Sequence, residues 1–305
     1  MKPNVALALA SGGPRGFAYI GAIEELRARG YKITSVSGAS AGSLVGGIFA
    51  AGGLEPFKEW LCHLDPVKVM TLMDVSVSKN YLVKGEKVIK AIKDLVPEVN
   101  IENLSIPFTA VATDLFTGEE VVFREGPLFQ AIRASISIPS MFKPVKWKGR
   151  TLVDGGMVNT LPVDRVKRTP GDILVAFNVN QIDAAEIQGF LDSRAAIEKK
   201  SWSDNEILSR IRAGIHRHQL DASASNSWIP VGADDNFASI LQRSFGIMNC
   251  SLARIALEKT PPDILVSLPF DSYHGVYGYS HAAEIIEIGR RLMADALDQY
   301  EKKNA

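Results

Sequence analysis

The chain is poor in cysteine and has no net charge. Its two cysteines, Cys62 and Cys250, lie in apolar stretches of helical pattern, which argues against a disulfide framework or a thiolate metal site. We therefore predict two buried thiols in a reducing compartment. Lysine plus arginine and aspartate plus glutamate each number 34, so no global field attracts nucleic acid or an anionic membrane. No nucleic-acid partner, metal ion or cofactor is expected.

Long hydrophobic runs are also lacking. The first apolar run, residues 5–10, is shorter than the hydrophobic region of a signal peptide and leads directly into SGGPRG at residues 11–16. The next apolar stretch, from residue 44, is too short and too rich in glycine to span a bilayer. We therefore interpret residues 5–10 as a first strand and expect a cytoplasmic protein that can contact a membrane peripherally.

The sequence does have the composition of a large folded domain, with 46% hydrophobic residues over 305 positions. Runs rich in valine, isoleucine and phenylalanine alternate with helical patterns, which predicts a mainly parallel sheet covered by helices. These runs are residues 5–10, 33–37, 108–112, 173–179 and 264–268. Residues 182–235 carry no strand signal and predict a helical insertion in a single domain that spans residues 1–305.

GASAG at residues 38–42 matches the pattern G-x-S-x-G. In a nucleophile elbow the serine occupies a strained turn from strand to helix, and small neighbours such as Gly38 and Gly42 let the backbone bend and expose Ser40. A strand-like run precedes the motif and a helical pattern follows it. Turns rich in small residues also serve only to pack a helix closely on a sheet, so a catalytic partner is needed to decide.

The candidate partner is Asp154, where a short strand ends in Asp-Gly-Gly. Gly155 and Gly156 allow the backbone to approach another loop closely, so the carboxylate can reach a serine hydroxyl. Asp-Gly is also a common hairpin turn. An α/β-hydrolase would use a histidine instead, and His274 is the candidate, although Ser40 follows only two predicted strands.

SGGPRG has three interpretations: a phosphate loop, an oxyanion hole or a sharp bend. A dinucleotide fingerprint would require glycine in place of Ser11 and an acidic residue within 31–40, and neither is present. An oxyanion hole requires backbone N–H donors, which Gly12 and Gly13 can supply and Pro14 cannot.

Several ordered motifs together resemble the patatin-like phospholipases, particularly their small bacterial members. These motifs are GGPRG at 12–16, GASAG at 38–42, TDLFTGEEVVF at 113–123, AIRASISIPSMFKPV at 131–145 and DGG at 154–156. The resemblance covers residues 5 to about 180 and implies a three-layer α/β/α fold. Ser11, the residue directly before GGPRG, departs from the glycine that is commoner at this position in the family.

The resemblance implies a dyad in which Ser40 is the nucleophile and Asp154 is the base, without histidine. It further implies an oxyanion hole at the first motif, comprising Gly12, Gly13, Arg15 and Gly16, although the role of Arg15 is open between holding the loop and supplying positive potential. Because an ordinary aspartate has a pKa of about 3.9, burial is needed to make it an effective base. The implied activity is hydrolysis of a lipid or another acyl ester, of the phospholipase A, lysophospholipase or carboxylesterase type.

Two other functions remain open: an acyltransferase with the same dyad, and a catalytically weak regulatory protein at a membrane surface. The locally basic insertion motivates the second hypothesis. Ser203 and Glu206 form a capping-box pattern that starts a helix there. The insertion is either a mobile cover that guides acyl chains or a pair of helices packed on the body with a solvated basic face. The apolar residues of the cover would include Phe190, Leu191, Ile207 and Leu208.

Overall fold

A computed structural model describes residues 2–72, 83–182, 237–270 and 278–304 of the chain. Eight strands of this part form one sheet, in the order β5-β6-β3-β2-β1-β7-β8, and β4 pairs with β3. The strands are β1 (Asn4–Leu9), β2 (Lys32–Ala39), β3 (Phe108–Asp114), β4 (Glu120–Phe123), β5 (Val145–Trp147), β6 (Arg150–Asp154), β7 (Ile173–Gln181) and β8 (Ile264–Pro269).

The centre of the sheet is parallel. Strand β1 pairs in parallel with β2 and β7, β2 pairs in parallel with β3, and β7 with β8. The pairs of β3 with β4, β3 with β6 and β5 with β6 are antiparallel. The predicted mainly parallel sheet is therefore confirmed, and the five predicted runs correspond to β1, β2, β3, β7 and β8. Their apolar character has a physical cause, since a parallel strand covered on both faces is buried along almost its whole length.

Helices cover both faces of the sheet, as expected for a three-layer α/β/α fold. They are α1 (Ala18–Ala28), α2 (Ala41–Ala50), α3 (Leu54–Cys62), α4 (Pro66–Leu72), α5 (Glu86–Lys93), α6 (Leu128–Ser135), α7 (Phe237–Lys259) and α8 (Ala282–Lys303). Short 3₁₀ helices lie at Gly13–Phe17, Ile101–Asn103 and Gly155–Met157. Within the described ranges, none of the helices combines the length and the apolar character needed to cross a bilayer.

The chain divides into two compact units, Met1–Gln181 with Ser244–Ala305, and Ile182–Arg243. Apart from Ile182, the predicted insertion at 182–235 lies outside the described residues, and so do its capping box and its apolar residues. The single domain with a helical insertion stays a prediction.

The prediction of two buried thiols is wrong for one of them. Cys250 is buried in α7, whereas Cys62 is exposed at the end of α3. The buried positions of α3 are Leu54, Phe57 and Leu61, which follow the three- and four-residue spacing of one helix face. Cys62 follows Leu61 by one residue, which is a rotation of about 100° around the helix axis, and therefore points away from that face.

The sheet brings two distant parts of the chain to one place. Val111 of β3 pairs with Ala39, the last residue of β2, and the next residue, Ala112, pairs with Asp154 at the end of β6. The loop after β1 and the turn after β2 also lie at one edge, because parallel neighbours end on the same side of a sheet. The predicted motifs at residues 12–16, 38–42 and 154–156 therefore meet at this edge.

Candidate active site

Ser40 occupies the turn between β2 and α2 in a strained backbone conformation, with φ 50° and ψ −118°. A positive φ is unusual for a residue with a side chain and is typical of a nucleophile elbow. A Cβ on Gly38 would lie 2.3 Å from the backbone of Gly42, and a Cβ on Gly42 would lie 2.2 Å from the carbonyl oxygen of Leu9. The turn therefore requires glycine at both positions, because any side chain would push α2 away from β1 and β2.

Hydrogen bonds from two directions hold the strained turn. The N–H of Ser40 donates to Oγ of Ser135, the last residue of α6, at 2.9 Å. The carbonyl oxygen of Ser40 accepts from the N–H groups of Ser43 and Leu44 at 2.9 and 3.0 Å, and from Oγ of Ser43 at 2.7 Å. Ser135 was not predicted as a site residue, although it lies in the stretch 131–145 that resembles the family.

Asp154 is fully buried, and each of its backbone polar groups is paired. Its N–H donates to the carbonyl oxygen of Ser137 at 2.9 Å, and its carbonyl oxygen accepts from Oγ1 of Thr113 at 2.9 Å. Oδ1 accepts from the N–H of Gly156 at 2.7 Å. The hairpin-turn interpretation of Asp-Gly is wrong, because Gly155–Met157 form a 3₁₀ helix that Asp154 caps.

Burial raises the pKa of Asp154 to about 7, against smaller opposite effects of hydrogen bonds from Ser40 and Gly156. The Ser40 hydroxyl is thus near the carboxyl group, although Oδ2 is buried without a hydrogen-bond partner of ordinary geometry. Hydrogen bonds between catalytic groups are often long or poorly aligned before substrate binds and tighten in the complex. A carboxyl group that titrates near neutrality is suited to accept a proton from a serine hydroxyl.

The loop after β1 lies beside Ser40. Gly13 has a φ of 57° and, together with Ser40, lines one cavity. Among the described residues, the N–H groups of Gly12 and Gly13 have no hydrogen-bond acceptor. They are therefore available to a ligand.

Arg15 and Gly16 contact the protein rather than the cavity. The guanidinium of Arg15 donates to the carbonyl oxygens of Gly12, at 3.1 Å, and of Phe270, and it lies over the Phe270 ring at 5.6 Å. A Cβ on Gly16 would lie 2.5 Å from Cβ of Ala41, the residue after Ser40. Of the two roles considered for Arg15, these contacts favour that of holding the loop.

No histidine of the described ranges lines the cavity at Ser40. His274, the candidate base of an α/β-hydrolase arrangement, lies outside the described residues. His281 precedes α8, where its ring nitrogen Nδ1 lies 3.3 Å from Oγ of Ser280. His63 is exposed, and its Nδ1 contacts the carbonyl oxygen of Glu59.

The cavity beside Ser40 has a volume of about 110 Å³ and an almost entirely apolar wall. Helix α3 contributes Phe57, Trp60 and Leu61, and α5 contributes Val88 and Ile92. Residues of α2 and α4, of the loop after β1, and of the segments before α5, after α6 and before α8 also line the cavity. A cavity with this lining favours apolar ligands over water. It fits a hydrocarbon chain whose polar end lies at Ser40.

The described ranges hold no cluster of three or more histidine, cysteine, aspartate or glutamate residues arranged to bind a metal ion. Tyr279, just before α8, also lines the cavity. It was not predicted as a site residue, since the sequence shows only that the loop around it is rich in glycine and tyrosine.

A family model described as patatin-like phospholipase matches residues 7–167. An uncharacterised NTE family protein of Mycobacterium tuberculosis is 36% identical, and the alignment covers 98% of this chain and 93% of that protein. A patatin-like phospholipase domain-containing protein of Caenorhabditis elegans is 32% identical over 62% of this chain and 14% of its own length. Among solved structures, VipD of Legionella pneumophila is similar with a TM-score of 0.45 and 16% identity, over 98% of this chain and 67% of that chain.

Proposed function

Because this chain belongs to the patatin-like phospholipase family, a family of lipid acyl hydrolases, we propose that it hydrolyses fatty acyl esters through a Ser40 acyl-enzyme with Asp154 as the base. The observation that carries this proposal is the contact between a serine in a strained elbow and a buried carboxyl group whose pKa is raised to about 7. Neither feature stabilises the fold, and the two together provide a nucleophile and its base.

In the first half of the reaction, ionised Asp154 takes the proton of the Ser40 hydroxyl as Oγ attacks the ester carbonyl carbon. The carbonyl oxygen becomes an oxyanion, and the N–H groups of Gly12 and Gly13 stabilise it. When the intermediate collapses, the bond from carbon to the leaving oxygen breaks. Asp154 returns the proton to that oxygen, an alcohol leaves, and the acyl group stays on Ser40.

In the second half, water takes the place of the alcohol. Asp154 accepts a proton from water as the water oxygen attacks the acyl carbonyl carbon, and a second oxyanion forms at the same donors. Collapse breaks the bond to Oγ, the proton passes to Ser40, and a fatty acid is released.

The apolar cavity supports a substrate with a hydrocarbon acyl chain. Each methylene group buried there contributes about 0.8 kcal/mol, so a chain of several carbons gains substantial binding energy over acetate. We therefore propose that lipid esters, of the phospholipase A, lysophospholipase or carboxylesterase type, are better substrates than short esters.

A fluorophosphonate probe and an ester panel of rising acyl length, with and without vesicles, test this function. We expect the probe to label Ser40, as mass spectrometry of the labelled peptide would show, and Ser40→Ala to lose both labelling and hydrolysis. Asp154→Asn should fold and lose hydrolysis. Full activity of Ser40→Ala would exclude the proposed nucleophile. Analysis of products with an added alcohol separates hydrolysis from acyl transfer.

A further inference from the structure

The side chain of Tyr279 lies against the loop after β1. Its hydroxyl oxygen is 3.8 Å from the position that a Cβ on Gly13 would occupy. Its ring packs edge to face on Phe17, with the ring centroids 5.9 Å apart and the planes at 71°. Gly13, Ser40 and Tyr279 line the same cavity, so an ester bound at Ser40 would share that cavity with the Tyr279 hydroxyl.

Hydrogen-bond donors are scarce around this position. Pro14 has no N–H, and the guanidinium of Arg15 donates to the carbonyl oxygens of Gly12 and Phe270. Among the described residues that line the cavity, the only side chains with a nitrogen or oxygen atom are those of Ser40, Trp60 and Tyr279. Besides the nucleophile itself, Tyr279 therefore supplies the only side-chain O–H donor of the described wall.

We propose that Tyr279 is a catalytic residue whose hydroxyl donates a hydrogen bond to the oxyanion, alongside the N–H groups of Gly12 and Gly13. This inference rests on the proposed attack of Ser40 on an ester. A third donor offsets the one that Pro14 lacks, and it acts most strongly in a cavity that excludes water.

The electrostatic surroundings of Tyr279 keep the hydroxyl protonated. The pKa of Tyr279 is raised to about 12, chiefly by desolvation and also by the negative charge of Asp154, while the positive charge of Arg15 acts in the opposite direction. Among the residues that the structure describes, Asp154 and Arg15 are the two charged groups that act on the phenol. Between about pH 7 and pH 12, therefore, Asp154 is ionised while the phenol keeps its proton and remains a donor.

The test is Tyr279→Phe, which keeps the ring against Phe17 and removes only the hydroxyl. We expect kcat to fall about 100-fold, as for loss of one oxyanion donor, while KM changes little. The fall should be the same for aryl esters and alkyl esters, because the oxyanion is common to both. The matched control is Tyr31→Phe, whose buried hydroxyl bonds Glu301 near the opposite edge of the sheet, and it should keep full kcat.

Three results would overturn the inference: an unchanged kcat, a change in KM alone, or a loss that grows with the pKa of the leaving alcohol. The last would assign the hydroxyl to the leaving oxygen. Ser40→Ala, measured in parallel, tests the proposed function separately. If Ser40→Ala retains hydrolysis, the proposed function is wrong. If Ser40→Ala loses hydrolysis while Tyr279→Phe keeps full activity, only the role of Tyr279 is rejected.

A second variant covers the case in which Tyr279→Phe misfolds. Site-specific incorporation of trifluorotyrosine at position 279 keeps the ring and the hydroxyl but lowers the pKa of the phenol. If the phenol must be protonated to donate, kcat should fall at a lower alkaline pH than in the unmodified enzyme, while the acid limb that belongs to Asp154 stays in place. An unchanged alkaline limb would reject the role.

Discussion

The backbone N–H of Ser40 donates a 2.9 Å hydrogen bond to the side-chain hydroxyl of Ser135. Two residues further along, the carbonyl oxygen of Ser137 accepts the N–H of Asp154. The end of α6 thus holds the backbone of both residues of the proposed dyad, from a part of the chain that belongs to neither motif. Their relative position depends on this one segment as well as on the sheet.

Ser135→Ala should impair catalysis through position rather than through substrate binding. It leaves the Ser40 N–H without an acceptor, which costs about 1–3 kcal/mol for a buried group, and it loosens a backbone that is already strained. A misplaced nucleophile lowers the rate of the chemical step, so we expect kcat to fall roughly 10- to 100-fold with little change in KM. Steady-state kinetics measure kcat and KM, and the rate of fluorophosphonate labelling measures the reactivity of Ser40.

Ser43→Ala is the matched control for Ser135→Ala. Both substitutions remove one buried serine hydroxyl that is bonded to Ser40. However, the carbonyl oxygen of Ser40 keeps its bonds from the N–H groups of Ser43 and Leu44, so no group is left unpaired. We expect kcat close to that of the unsubstituted protein. Equal losses in both variants would contradict a specific role for Ser135.

Activity should depend on pH near neutrality because only ionised Asp154 can accept a proton. Burial raises the pKa of this carboxyl group to about 7, so kcat/KM should rise with pH and reach half of its maximum near pH 7. An exposed aspartate would give the half-point near pH 4. Rates with an uncharged ester between pH 4 and 9 decide between the two, and a flat profile from pH 5 upward would mean that the pKa of the base is not raised.

Asp154 should also make the free energy of unfolding depend on pH. Its pKa rises from the ordinary value of 3.8 to about 7 in the folded protein, so the folded state holds a proton that the unfolded state releases. Its contribution to stability is therefore complete below about pH 4 and is lost between about pH 4 and 7, by up to about 4 kcal/mol. Asp154→Asn has no such titration.

Thermal unfolding of Asp154→Asn and the unsubstituted protein provides the measurement. The difference in Tm, variant minus unsubstituted protein, should grow from pH 4 to pH 7 and then level off. A difference that stays constant with pH would mean that Asp154 is not held in a medium that disfavours its charge.

Gly42→Ala should destabilise the protein strongly, because the added Cβ would lie 2.2 Å from the backbone oxygen of Leu9 in β1, and a strand cannot move aside cheaply. We expect a loss of about 3 kcal/mol, as in severe overpacking. Gly47→Ala on the same helix is the control, since its Cβ would meet only side-chain atoms of Ile132, Leu128 and Phe108, at 3.0 to 3.2 Å. Chemical denaturation of both variants should show a small change for Gly47→Ala.

Val88→Trp should shorten the acyl chain that the protein accepts, because Val88 lines the apolar cavity from α5. Exclusion of two methylene groups lowers kcat/KM roughly tenfold, at about 0.8 kcal/mol each, whereas acetate esters should be unaffected. Lys90→Trp, on the exposed side of the same helix, is the control. If Val88→Trp left the preference for long esters intact, the acyl chain would lie elsewhere.

The strands of the parallel sheet and the turn at Ser40 could be predicted from the amino-acid sequence alone. Both are local features: burial on two faces demands a continuous apolar run, and a strained turn demands small residues around the serine. The sequence also excluded Pro14 as a donor, because the missing N–H is a property of the residue alone.

Which residues face one another depends on how the whole chain folds. Asp154 reaches Ser40 because adjacent residues of β3, Val111 and Ala112, pair with the ends of two strands that are more than a hundred positions apart. The contacts of Ser135, the place of Tyr279 and the apolar cavity are likewise made between segments distant in sequence. Strand register and helix packing depend on the whole buried surface, and no local pattern specifies them. The raised pKa of Asp154 also follows from burial, so the sequence alone does not reveal it.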